Sequence, residues 1–106
     1  MRILFDQGTP APLRRRIVGH DVFTANEMGW SELRNGDLLR AAEQQFDLLI
    51  TTDHNLRHEQ NLRARRLANL VLMTTAWPTI ERDVSVVLAA IGEMKPAEYR
   101  ELGFSA

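Results

Sequence analysis

Apolar residues come along the chain in short, nearly unbroken runs, separated by longer stretches where they recur every three or four positions. Ile3-Leu4-Phe5, Asp21-Val22-Phe23-Thr24-Ala25, Asp47-Leu48-Leu49-Ile50-Thr51 and Asn69-Leu70-Val71-Leu72-Met73-Thr74 read as strands. The third is apolar enough to be covered on both faces. Thr9-Pro10 suits an N-cap followed by proline at the first helical position, predicting a helix over 10–17 that Gly19 stops. Leu38, Leu39, Ala41 and Ala42 predict a second helix over 37–45. The Arg-rich stretch 55–66 reads as helical for part of its length. After a break at Trp77-Pro78, Ile80, Val84, Val87, Leu88 and Ile91 predict one last helix. Tyr99-Arg100-Glu101-Leu102 closes the pattern as a short edge strand. Alternating strands and helices predict one three-layer α/β/α domain over residues 1–106, with a mostly parallel sheet of four to five strands.

Composition narrows the chemistry. The chain has 106 residues, 44% hydrophobic and 25% charged, within the ordinary range of globular domains. Thirteen basic against 14 acidic residues leave a net charge of −1, so nucleic acid would have to be held by a local patch. With no cysteine, disulfides, thiolate zinc sites and cysteine nucleophiles are excluded. No Gly-rich phosphate loop or Gly-x-Ser-x-Gly turn occurs. The apolar runs are too short for a signal peptide or a membrane span, which makes a cytoplasmic location the expectation.

The carboxylates carry the strongest functional signal. In a parallel sheet every strand runs to the same edge, and ligands bind there. Asp6 ends the first strand, Glu27 follows the second, Asp37 opens the helix leading to the third strand, and Asp53 follows that strand. All four are therefore expected at one rim. Two carboxylates about 5 Å apart repel by roughly 3 kcal/mol at an effective dielectric near 20. A divalent cation relieves that repulsion, and oxygen donors suit Mg²⁺ or Mn²⁺. The structural alternatives are an Asx-turn at Asp6 or Asp53, a helix-dipole role for Asp37, and a solvated Glu27. Arg14, Arg57 and Arg63 belong to the basic clusters that would meet RNA phosphates. His54 and His58 lack a third ligand at zinc spacing, and Trp30 and Trp77 read as packing anchors.

Met-Arg-Ile-Leu-Phe-Asp at the start, Gly19-His20-Asp21-Val22, Asn35-Gly36-Asp37-Leu38-Leu39 with Ala41-Ala42-Glu43, and Leu48-Leu49-Ile50-Thr51-Thr52-Asp53 together resemble the small PIN-like proteins, relatives of VapC-type toxins. The resemblance covers about residues 1–75. It implies an Mg²⁺- or Mn²⁺-dependent endoribonuclease, often the toxin of a toxin–antitoxin pair, with RNA as substrate and an antitoxin as protein partner. Asp6, Asp37 and Asp53 take the catalytic positions, with Glu27 and Asn55 as further metal ligands. Two departures stand out: Gln7 occupies a position where many relatives carry a further acidic or amide residue, and Asn55 one where aspartate is common. The site then carries one charge fewer. A homodimer is compatible with this reading. The competing expectation is a module that keeps the fold, lacks the chemistry and works through a protein partner. A phospho-accepting receiver would need a late lysine near the site, and the only lysine, Lys95, follows the last long helix.

Overall fold

Strands buried on both faces need no polar alternation, and the three central strands of the sheet are four- and five-residue runs of this kind. The computed structural model describes residues 1–56 and 65–104. Its strands are β1 (Arg2–Phe5), β2 (Asp21–Thr24), β3 (Leu48–Thr51), β4 (Ala68–Leu72) and β5 (Tyr99–Leu102). All pair in parallel, in the order β2-β1-β3-β4-β5. A five-stranded, all-parallel α/β sheet is thus established, and β5 pairs at the edge as its sequence predicts.

Side-chain alternation along the strands divides the core in two. Ile3, Phe5, Leu48, Ile50, Leu70 and Leu72 pack on one face with Leu13, Ile80, Val87 and Ile91. Leu4 and Leu49 point to the other face, against Leu39, Ala42, Phe46 and Leu56. Helix α1 (Asn35–Glu43) supplies that second layer. The first layer comes from a 3₁₀ helix (Ala11–Arg16) together with α2 (Trp77–Arg82) and α3 (Val84–Glu93). Both outer layers of the three-layer arrangement are therefore present.

Three elements differ from expectation. The predicted helix over 10–17 is 3₁₀, with bonds from Leu13 N–H to Pro10 and from Ile17 N–H to Arg14. The segment is only six residues long, the length at which 3₁₀ turns are common, and its three consecutive arginines repel one another. Trp77-Pro78 starts a helix where a break is predicted, because proline lacks only an N–H that the first turn leaves unused. The single last helix is two, parted at Asp83, whose φ of −111° and ψ of 30° leave the helical region. The reading of 55–66 as partly helical falls mainly outside the described residues.

One connection carries an unusual hand. From β1 to β2 the chain steps one way across the sheet with the 3₁₀ helix on the first face. From β2 to β3 it steps back the other way with α1 on the second face, which keeps the same hand. From β4 to β5 it continues in that second direction but returns to the first face with α2 and α3. That last crossover is opposite in hand to the other two, against the near-uniform rule for parallel strands.

The turn that feeds β5 is tight. Glu98 N–H bonds the Lys95 carbonyl at 3.1 Å, with Pro96 and Ala97 between them. Ala97 has φ of 67°, the conformation that type II turns reserve for glycine at this place. Relief of about 1 kcal/mol of left-handed strain exceeds the roughly 0.5 kcal/mol that a more flexible unfolded chain costs. Ala97→Gly should therefore stabilise the protein by about 0.5 kcal/mol in urea denaturation. A loss of stability would show that the turn bears no strain.

Candidate functional site

Strand order sets the location. The chain leaves β1 toward β2 and returns past it to β3, so connections depart in opposite directions from the carboxyl ends of β1 and β3. Such a switch point is where open α/β sheets hold ligands. Register places Phe5 opposite Ile50, so the next residues, Asp6 and Thr51, lie side by side on the α1 face.

Asp6 is the most built of the candidates. Its Oδ1 accepts from Gly8 N–H at 3.2 Å and lies 2.8 Å from Thr9 Oγ1, while its Oδ2 accepts from the Thr51 hydroxyl. Burial pushes its pKa up, and hydrogen bonds from Thr51, Thr9 and Gly8 act against that rise. No other carboxylate contributes, so desolvation rather than crowding of like charges sets the direction. Thr9 Oγ1 also lies 2.8 Å from the Ile50 carbonyl oxygen, yet a hydroxyl carries one proton. When Thr9 donates to Ile50, the Asp6 contact is a hydrogen bond in the form where the carboxyl group holds the proton. Three of the four lone-pair directions of this carboxyl group are engaged, leaving one on Oδ2.

Thr51 joins two of the predicted residues. Its hydroxyl donates to Asp6 and accepts from the Asp53 N–H at 3.0 Å. Asp53 in turn accepts from Asn55 N–H at 3.1 Å, an Asx-turn that begins the segment after β3. Asn55 contributes its backbone here, and its side chain is exposed.

Glu27 and Asp37 have other partners. Thr24 and Glu27 bond reciprocally, Glu27 Oε1 accepting from Thr24 N–H at 2.9 Å and Thr24 Oγ1 from Glu27 N–H at 3.1 Å, as in a capping box. Arg14 lies 2.9 Å from the same Oε1. The Thr24 N–H, then Arg14, hold the Glu27 carboxyl below its ordinary value. Asp37 sits in the first turn of α1, mostly exposed, and pairs with Arg40. The expectation that four carboxylates gather in one cluster is thus corrected: among the described residues no three acidic or imidazole groups come together as a metal site. The topology brings them to one edge, but local donors turn each toward its own partner. Arg57, Arg63 and His58 lie outside the described residues, and His54 is exposed.

Two openings flank Asp6. One, of about 380 Å³, lies on the α1 side and is lined by Gln7, Gly8, Trp30, Ser31 and Arg34. The other, of about 410 Å³, is lined by Thr9, Ala11, Thr24 and Asn26. A more apolar hollow at the amino edge, around Phe46, Leu48 and Met94, holds none of the candidate residues. Sequence reading missed Thr9, Thr51 and Arg34, although strand parity alone puts Thr51 beside Asp6. No helix among the described residues is long and apolar enough to cross a membrane. Comparison with family models, curated proteins and solved structures gives no match to the chain.

Two stability tests follow from this geometry. The folded state binds a proton at Asp6 more tightly than the unfolded chain, so stability falls as pH rises above the ordinary aspartate value of 3.8. Asp6→Asn removes that penalty and should raise stability by about 1 kcal/mol at pH 7, with the gain shrinking toward pH 3. Thermal melts at both pH values check this, and an equal or negative change at pH 7 would contradict it. At Gly8, an added Cβ would lie 2.5 Å from Thr52 Oγ1. Gly8→Ala should cost about 1–3 kcal/mol, and Thr52→Ala in the same chain should recover much of it. Additive losses in this double-mutant cycle would rule out the contact.

Proposed function

We propose that this chain is a metal-dependent ribonuclease of the PIN-like kind, working in the cytoplasm, with Asp6 and Asp53 as its principal carboxylates. The observation that carries the reading is the half-buried Asp6 carboxyl group at the switch point, tied through one threonine hydroxyl to the backbone of Asp53. The donor set is all oxygen, and one lone pair of Asp6 stays open, which fits Mg²⁺ or Mn²⁺. Magnesium commonly takes one or two carboxylates and completes its shell with water and substrate phosphate. Asp6 and Asp53 would hold the ion, which supplies a more acidic water and neutralises charge on a phosphodiester.

The chain's own residues do the positioning. Thr51 fixes the orientation of Asp6, and the Asp6–Thr9 turn, closed by Thr9 N–H to the Asp6 carbonyl at 3.3 Å, fixes its backbone. Asp37 stands on the same helix-bearing side but is held by Arg40. A toxin role, with an antitoxin as partner, belongs to the same reading. The second reading, a binding module without catalysis, has one observation in its favour. Arg14 and Arg40 each occupy a carboxylate that a four-acid centre would use.

Single-stranded RNA incubated with the purified protein and Mn²⁺ or Mg²⁺ separates the two. Cleavage should stop with chelator, and Asp6→Asn or Asp53→Asn should lower it by about a hundredfold. Glu27→Gln should leave the rate close to that of the parent, and Asp37→Asn should reduce it only a few-fold. Absence of cleavage across varied RNAs, with no heat of metal binding, would establish the binding module instead.

A further inference from the structure

The cleft on the α1 side of Asp6 sets a carboxyl group alongside a cation that no described carboxylate pairs. Arg14, Arg16, Arg40, Arg65 and Arg100 each hold a carboxylate. Arg34 is exposed, lines the same cleft as Asp6, and forms no ion pair with a described residue. A guanidinium left open beside a half-buried carboxyl group suits a ligand carrying both signs, such as a phosphodiester with its own divalent cation.

The cleft wall supplies the rest. Trp30 lines it while its indole is braced edge-on against Phe46, with centroids 6.0 Å apart and planes at 83°. The backbone N–H of Trp30 donates to the Ala25 carbonyl at 2.8 Å, just past the end of β2. Gln7 Nε2 donates to the Ser31 carbonyl at 3.1 Å, tying the segment that carries Trp30 and Arg34 to the end of β1. An aromatic plane held rigidly next to a free guanidinium is the pairing by which single-stranded nucleic acids are gripped, base on ring and phosphate on cation.

Resting on the ribonuclease reading, we infer that this cleft is the nucleotide subsite of the rim. Arg34 binds the phosphodiester next to the one cleaved, Trp30 stacks its base, and Gln7 is a positioning residue. The substrate class is then single-stranded RNA, since a duplex keeps its bases from the indole.

Fluorescence tests this separately from cleavage. Trp77→Phe leaves Trp30 as the only indole, and the titrant is a 2′-O-methyl uridine dinucleotide, which is not cleaved, in the presence of chelator. Binding should quench Trp30 and weaken with salt. Arg34→Ala should weaken it by about tenfold, with Arg34→Lys recovering part of the loss. Gln7→Ala should weaken it less. Absence of quenching, or equal affinity in Arg34→Ala, overturns the subsite. Should Arg34-dependent binding occur while no metal supports cleavage, the ribonuclease reading fails and the nucleotide subsite stands. Should cleavage proceed with an unchanged KM in Arg34→Ala, the subsite fails and the ribonuclease reading stands.

Discussion

Everything at the carboxyl edge depends on holding the Asp6 carboxyl group directly after the buried apolar run that ends β1. Ile3, Leu4 and Phe5 are almost completely buried, and the chain places a carboxyl group directly after them. Burying such a group without partners would cost several kcal/mol, so donors must be brought to it. They come from three directions: Gly8 N–H, the Thr9 hydroxyl and the Thr51 hydroxyl. Each demand shapes a neighbour. The turn after β1 folds back tightly enough that Gly8 leaves no room for a side chain beside Thr52, and β3 ends on a threonine that is 2% exposed.

Much of this was legible in the chain. Strand positions follow from unbroken apolar runs, and the parallel order follows from helices between them. The rim position of Asp6 and Asp53 needs only that each end or follow a strand. The fate of Glu27 was hidden because a capping box depends on the backbone of Thr24, and that geometry exists only once β2 ends there. Asp37 was read by topology alone, whereas an arginine one helical turn away decides where its charge is spent. Pro10 at a helix start signals a helix but not its type, and the six residues that follow take the 3₁₀ form. The opposite-handed connection to β5 was invisible, since sequence periodicity says nothing of the face to which a helix returns.

Arginine placement sorts the carboxylates at the rim. Arg14 satisfies Glu27 and Arg40 satisfies Asp37, both at exposed positions where each pair contributes little to stability. The consequence is electrostatic more than energetic: two of four negative charges are neutralised locally, and Asp6 and Asp53 remain the pair linked through the sheet. Exposed pairs are also weak enough to be exchanged for a ligand, whereas the Asp6 hydrogen bonds sit on backbone and threonine donors that do not move apart cheaply.

The two kinds of residue are also held in place differently. Asp6, Thr9 and Thr51 are fixed by the register of β1 against β3, the most buried part of the sheet, and so retain their geometry as the surface rearranges. Trp30 and Arg34 sit on the connection from β2 to α1, attached to that frame by Gln7 and by the Ala25 carbonyl. The carboxyl group thus belongs to the buried frame, and the wall beside it belongs to a connection tethered to that frame. Register fixes where Asp6 stands, and Trp30 and Arg34 on the connection line the opening beside it.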